Sequence, residues 1–284
     1  MIIFRYIEDK DVFQKFYSRM LARRLVHTSS ASDDAETSMI SKLKEACGFE
    51  FTNKLQRMFQ DIQVSKDLNS NYKLWLSENT DSEKFNKTVD TYFNILSTGF
   101  WPLFPPATPF IAPPTLVKTY EQFQKFYIEK HNGRRLTWLW NLCKGDVKAN
   151  YCKAAKTPYV FQVSTFQMAI LLLFNEKDTV SYNDMRDATS LNEESLDPSL
   201  AIFVKAKVLT VSPDSTKYGP DTKFSLNFDF KSKKLRVNLN MVVKSEAKAE
   251  VEDTHKTIEE DRKLLMQVSS LLDHHTLILV LTLA

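Results

Sequence analysis

Apolar residues recur at helical spacing from the start of the chain. Between Ile7 and Leu25, the residues Val12, Phe13, Phe16, Tyr17, Met20 and Leu21 predict one long amphipathic helix, with Asp9 as its cap. Lys15, Arg19 and Arg23 lie four apart and form a basic row on another face. Ser32 before Asp33-Asp34-Ala35-Glu36 reads as the cap and acidic first turn of a second helix, which continues through Met39, Ile40 and Leu43 and stops at Gly48. Leu55, Met58, Phe59, Ile62, Leu68, Tyr72 and Trp75 keep the helical period. Residues 79–84 are polar and read as a loop, and Thr91 to Leu96 fits a strand or a helix. Pro102, Pro105, Pro106, Pro109, Pro113 and Pro114 forbid regular structure. Leu116, Tyr120, Phe123, Phe126 and Tyr127 restore the helical period until Gly133.

After Gly133 the period becomes two. Leu136, Trp138 and Trp140 alternate with Thr137, Leu139 and Asn141 and predict a strand. A turn at Lys144-Gly145-Asp146 and a return over Val147 to Tyr151 follow. Further strands are predicted over 159–163, 208–211, 224–230 and 235–239, the last two joined by a Lys-rich turn. Helices are predicted over 168–174, 183–189 and 193–205, with Pro198 inside the last of these or in its first turn. Helix, helix, strand, strand is a winged-helix order. Residues 244–263 are charged and poor in apolar residues, a linker running into a helix over 257–267. The predicted fold class is α+β: an antiparallel long-helix bundle (1–133), then an α/β domain with a winged-helix-like portion (134–243), then linker, helix start and tail (244–284).

Composition narrows the function more than the fold. The chain has 284 residues, 43% hydrophobic and 26% charged, as expected of a soluble protein with room for two cores. A net charge of +3 is too small to argue for nucleic acid or membrane. Cys47, Cys143 and Cys152 lack metal-type spacing and suit reduced thiols of the cytoplasm or nucleus. No signal peptide is expected, because Arg5, Glu8 and Asp9 follow the first residues at once, and the Leu277 to Leu281 run is too short for a membrane span. His27, His131, His255 and the adjacent His274-His275 form no ligand or catalytic set, so neither a cofactor nor a metal is expected.

Two surfaces remain, each with two readings. Trp138 and Trp140 on one face of a strand make either a plain core or a slot that accepts a strand from another chain, together with Leu136, Val147 and Tyr151. The cluster Arg19, Arg23 and Arg24 is either a solvated helix face or an electrostatic landing site for an acidic segment, attractive over about 8 Å at physiological salt. A winged helix also raises DNA binding. Here the candidate recognition helix starts with Glu193, Glu194 and Asp197, and only Lys205, Lys207 and a basic stretch at Lys231, Lys233 and Lys234 speak for it, which argues against nucleic acid.

The literal string YIEDKDVFQKFYSRMLARRLV, with Ser32 to Glu36 and Cys47-Gly48-Phe49-Glu50-Phe51-Thr52-Asn53-Lys54-Leu55, resembles the cullin family, and within it the cullin of SCF-type ubiquitin ligases. Arg135-Leu136-Thr137-Trp138-Leu139-Trp140, Ser164 to Leu172, Lys233 to Asn238 and Thr257 to Gln267 carry the likeness further. The resemblance implies a non-catalytic scaffold in which a helical bundle joins an α/β domain. A strand of a zinc-bearing RING-box protein threads into the sheet at Arg135–Trp140, and a ubiquitin-conjugating enzyme is recruited transiently. Basic residues near the bundle, here Arg19, Arg23 and Arg24, would attract that enzyme's acidic tail. The resemblance also implies that the chain is truncated at both ends. The adaptor-binding stalk is expected to be absent. Val268 to His275 stands where the family carries its modifier-acceptor lysine, so no such lysine is expected.

Overall fold

The computed structural model describes residues 2–27, 32–79, 89–103, 109–152, 157–213, 217–240, 254–264 and 266–267. Two compact units emerge. One comprises residues 1–66, 94–103 and 242–284, the other residues 67–93 and 104–241, so the boundary expected at residue 133 falls inside the second unit.

The first unit is helical. After a short α1 (Ile2–Arg5) come α2 (Lys10–Val26), α3 (Asp33–Cys47) and α4 (Phe49–Asn79), which continues into the second unit. Ser32 caps α3 by accepting from the Ala35 N–H, and Gly48 ends it at a φ of 84°, where a side chain would be disfavoured. Asp9 precedes α2 but its side chain makes no capping bond. Phe4, Leu21, Ala22, Leu25, Ile40, Leu43, Leu55, Met58, Ile62 and Trp101 form the core. Met20, expected on the apolar stripe, is 59% exposed.

Residues 91–97 are neither strand nor helix. Three polar side chains of α4, one turn apart, hold this extended backbone. Asn69 Oδ1 accepts from the Phe93 N–H at 2.8 Å while its Nδ2 donates to the Phe93 carbonyl at 2.6 Å. Ser65 Oγ accepts from the Ile95 N–H at 2.8 Å. Asp61, 7% exposed, accepts from the Ser97 N–H at 2.8 Å, the Ser97 hydroxyl at 2.9 Å and the Trp101 indole at 2.8 Å. Four helical residues advance about 6 Å and two extended residues about 6.6 Å, so the series stays in step.

The second unit carries α5 (Pro114–Lys130) and two three-stranded sheets. In the first, β1 (Lys144–Ala149) pairs antiparallel with β2 (Tyr159–Ser164), and β2 pairs in parallel with β6 (Arg236–Asn238). A capping box of Ser164 and Gln167 starts α6 (Thr165–Leu173) directly after β2. In the second, β5 (Lys223–Leu226) lies between β3 (Thr179–Ser181) and β4 (Leu209–Ser212), all antiparallel. Between β3 and β4 come α7 (Tyr182–Thr189) and α8 (Glu193–Lys205), capped by Asn192 and containing Pro198 beyond its first turn. This gives the winged-helix order. Phe161, Ile170, Met185, Leu196, Leu200, Phe203 and Phe224 anchor the core; each such side chain contributes about 1.5–3 kcal/mol.

Three expectations are corrected. Residues 134–139 form neither helix nor strand and join no sheet. Lys144-Gly145-Asp146 is the first half of β1, and the chain turns instead at a 3-10 helix, Trp140–Leu142. The strand predicted over 224–230 stops at Leu226, because Asn227 accepts from the Asp229 N–H and bends the backbone; β6 then pairs with β2 rather than forming a hairpin with β5. The tail from residue 268 onward, including His274 and His275, lies outside the described residues, as does most of the 79–84 loop.

Candidate strand-accepting site

The extended stretch after α5 is fixed by its side chains. Trp138 and Trp140 stack on each other at 5.6 Å. Trp138 also meets Tyr120 at 5.2 Å, Phe93 at 6.0 Å and Phe123 at 6.4 Å, and Trp140 meets Tyr120 at 5.4 Å and Phe110 at 5.8 Å. Tyr120 and Phe123 stand three residues apart on α5, so both tryptophans clamp the segment to one helix face. Aromatic anchoring thus satisfies the period-two pattern that read as a strand.

The backbone is treated differently. Among the described residues, no N–H of Arg135, Leu136, Thr137 or Trp138 has a hydrogen-bond acceptor. Four residues, 140–143, separate this stretch from β1. The Cys143 carbonyl accepts from the Thr165 N–H at 3.0 Å, and the Cys143 thiol donates to the Leu139 carbonyl at 3.3 Å, which ties the connection at both ends. Burial pushes that thiol up to about 11. One edge of β1 is filled by β2, from Lys144 opposite Ser164 to Ala149 opposite Tyr159. Its other edge has no strand among the described residues. A Cβ on Gly145 would fall on the terminal methyl of Met168, a flexible side-chain end that can move aside.

The five residues read from sequence as a strand-accepting slot occupy three places in the structure. Trp138 and Trp140 share the aromatic group above. Val147 and Tyr151 pack on the apolar core of the second unit, and Leu136 is half-buried on the extended stretch. The Tyr151 ring lies edge-on to Phe228 at 6.1 Å, and burial, with the neighbouring Cys152 thiol, raises the pKa of its hydroxyl. The arrangement offers unpaired backbone on a rigid aromatic bed and an open strand edge four residues away, the components of strand addition.

The basic cluster lies in the first unit. Arg24 makes a two-pronged bond to Glu36, at 2.6 and 3.1 Å, and lies over the Tyr17 ring at 5.6 Å, while the Tyr17 hydroxyl donates to Glu36 at 3.2 Å. Glu36 is 9% exposed, so Arg24 joins α2 to α3. Burial and the Glu36 charge push the Tyr17 hydroxyl up to about 12. Arg19 donates to the Thr254 hydroxyl, and Arg23 is half-buried in the last turn of α2. Sequence reasoning took Glu36 for a first-turn acid and passed over Asp61, Ser65 and Asn69. Their four-residue spacing inside an otherwise apolar helical period was the signal. Among the described residues there is no cluster of three metal-type ligands, and no helix is long and apolar enough to cross a membrane.

Comparison with known proteins bears directly on this arrangement. Residues 1–69 match the family described as the Cullin alpha solenoid domain, and residues 95–230 match the Cullin alpha+beta domain. The chain is 49% identical over 267 residues to Cullin-1 of Schizosaccharomyces pombe, covering 94% of this chain and 34% of that protein. The chain belongs to the cullin family. Cullin-1 of Dictyostelium discoideum is 43% identical over 271 residues, 95% of this chain and 35% of that protein, and human Cullin-4A 37% over 288 residues, 98% and 37%. The chain therefore spans about a third of the length of the curated cullins it matches. Strands β1 and β2, the aromatic bed from Phe110 to Trp140 and the winged-helix order fall within the cullin alpha+beta match, while β6 and Phe93 lie outside it. Helices α2 to α4, read from sequence as a bundle, fall largely within the solenoid match.

Proposed function

We propose that this chain is a non-catalytic scaffold segment of a cullin-RING ubiquitin ligase of the SCF type, acting in the cytoplasm and nucleus. It holds a RING-box protein, whose terminal strand adds to the backbone at 135–138 and the open edge of β1. Backbone bonds supply the affinity and the tryptophan bed fixes the register. A ubiquitin-conjugating enzyme is recruited transiently, its acidic tail drawn to the basic end of α2. The scaffold's contribution to transfer is proximity. The observation that carries this reading is the run of N–H groups at 135–138 that have no acceptor among the described residues, held on an aromatic bed in the same unit as the open edge of β1, which leaves backbone free to pair with an added strand. Against the nucleic-acid alternative, α8 opens with Glu193 and Glu194, and Asp197 accepts from the Tyr182 hydroxyl at 2.7 Å.

The test is co-expression with a RING-box protein followed by size-exclusion chromatography. A stable one-to-one complex is expected. A folded chain that elutes alone would overturn the proposal.

A further inference from the structure

Residues 254–264 form a helix, α9, within the first unit, antiparallel to α2. Thr254 accepts from Arg19, and His255 meets the Phe16 ring edge-on at 5.1 Å. Asp261 accepts from Lys15 at 2.6 Å, and Arg262 donates to Asp11 at 2.8 and 2.9 Å and to Asp9 at 2.8 Å. As many residues separate Thr254 from Arg262 as separate Arg19 from Asp11. Both helices rise about 1.5 Å per residue, so the two series of partners stay in register.

Two properties of this contact stand out. It is held largely by charge at half-exposed positions: Lys15 and Asp261 side chains are 39% and 49% exposed, and those of Arg262 and Asp11 44% and 50%. Ile258 is the buried apolar side chain of α9. Pairs this exposed hold weakly and loosen further with salt. The contact also engages Lys15 and Arg19, two members of the basic row on α2, with Asp261 acting as an internal acidic ligand.

We infer that the basic row of α2 is a receptor for acidic peptide segments and that α9 occupies it in cis, so that an acidic partner binds fully only when α9 lifts away. This rests on the reading of α2 as a landing site. The affinity of an outside acidic segment then scales with the fraction of molecules in which α9 is released.

The test compares the chain with its Ile258→Ser/Asp261→Asn/Arg262→Gln variant, which removes the apolar anchor and all three ion pairs without changing net charge. A fluorescent oligoglutamate peptide is titrated at low salt, and amide exchange of residues 254–264 is followed in parallel. Faster exchange and about tenfold tighter peptide binding by the variant are expected. Lys15→Gln/Arg19→Gln added to the variant should abolish the gain, whereas Lys233→Gln/Lys234→Gln should leave it. Unchanged exchange would overturn the claim that these side chains hold α9. Faster exchange with equal affinity would refute the inference while leaving the landing site intact. A peptide that binds neither form would overturn the landing site, and the inference with it.

Discussion

Residues 91–97 and residues 135–139 both lack helix and strand, both lean on aromatic side chains, and neither belongs to a sheet, yet their backbones fare differently. In the first stretch, the N–H groups of Phe93, Ile95 and Ser97 are answered by Asn69, Ser65 and Asp61 of α4. In the second, tryptophans fix the side chains, and among the described residues the N–H groups of residues 135–138 have no acceptor. A helix lined with polar side chains at four-residue intervals can stand in for a neighbouring strand and close an extended segment. An aromatic bed fixes a segment without closing it. The first is architecture complete in itself; the second is what the proposed strand addition would complete.

The comparison can be broken most forcefully at the aromatic bed. Trp138→Ala removes contacts to four rings and is expected to cost about 3 kcal/mol in urea unfolding, taking RING-box binding with it. Asp61→Ala leaves the Ser97 N–H and the buried Trp101 indole without their acceptor. We expect a loss of about 2 kcal/mol in the same assay, with RING-box binding by the folded protein unchanged. Proline separates fold from function. Because successive N–H groups of an extended chain point to opposite edges, Leu136→Pro and Thr137→Pro probe the two edges separately. Each should cost less than about 1 kcal/mol, since no native hydrogen bond is lost, but one of them should abolish co-elution with the RING-box protein. Both retaining the complex would contradict strand addition here. The smallest effect has the opposite sign. The Tyr72 hydroxyl is buried without a partner among Phe93, Phe123 and Phe126, so Tyr72→Phe should stabilise the protein by about 0.5–1 kcal/mol.

The two stretches also mark what can be read from sequence. Elements set by local chemistry were legible to the residue or nearly so: α8 over 193–205, α3 between Ser32 and Gly48, and β2, whereas α6 read three residues late because its Ser164 capping box went unread. Side-chain periodicity reports which residues share a face, and it placed Trp138 and Trp140 together correctly. It does not report what the backbone bonds to. A ladder and an aromatic bed leave the same period-two signature, so residues 136–140 read as a strand. Likewise 235–239 read as the second arm of a hairpin, although its partner, β2, lies more than seventy residues earlier in the chain. The roles of Glu36 and Asp61 were hidden for the same reason, because each acts on a residue far away in sequence.

Amide hydrogen exchange, measured on the free chain and again with a RING-box protein bound, tests the central claim most directly. The account predicts that Phe93, Ile95 and Ser97 are protected in both states, and that residues 135–138 exchange fast in the free chain and become protected in the complex. Residues 135–138 protected before any partner is added, or unprotected in a stable complex, would contradict it.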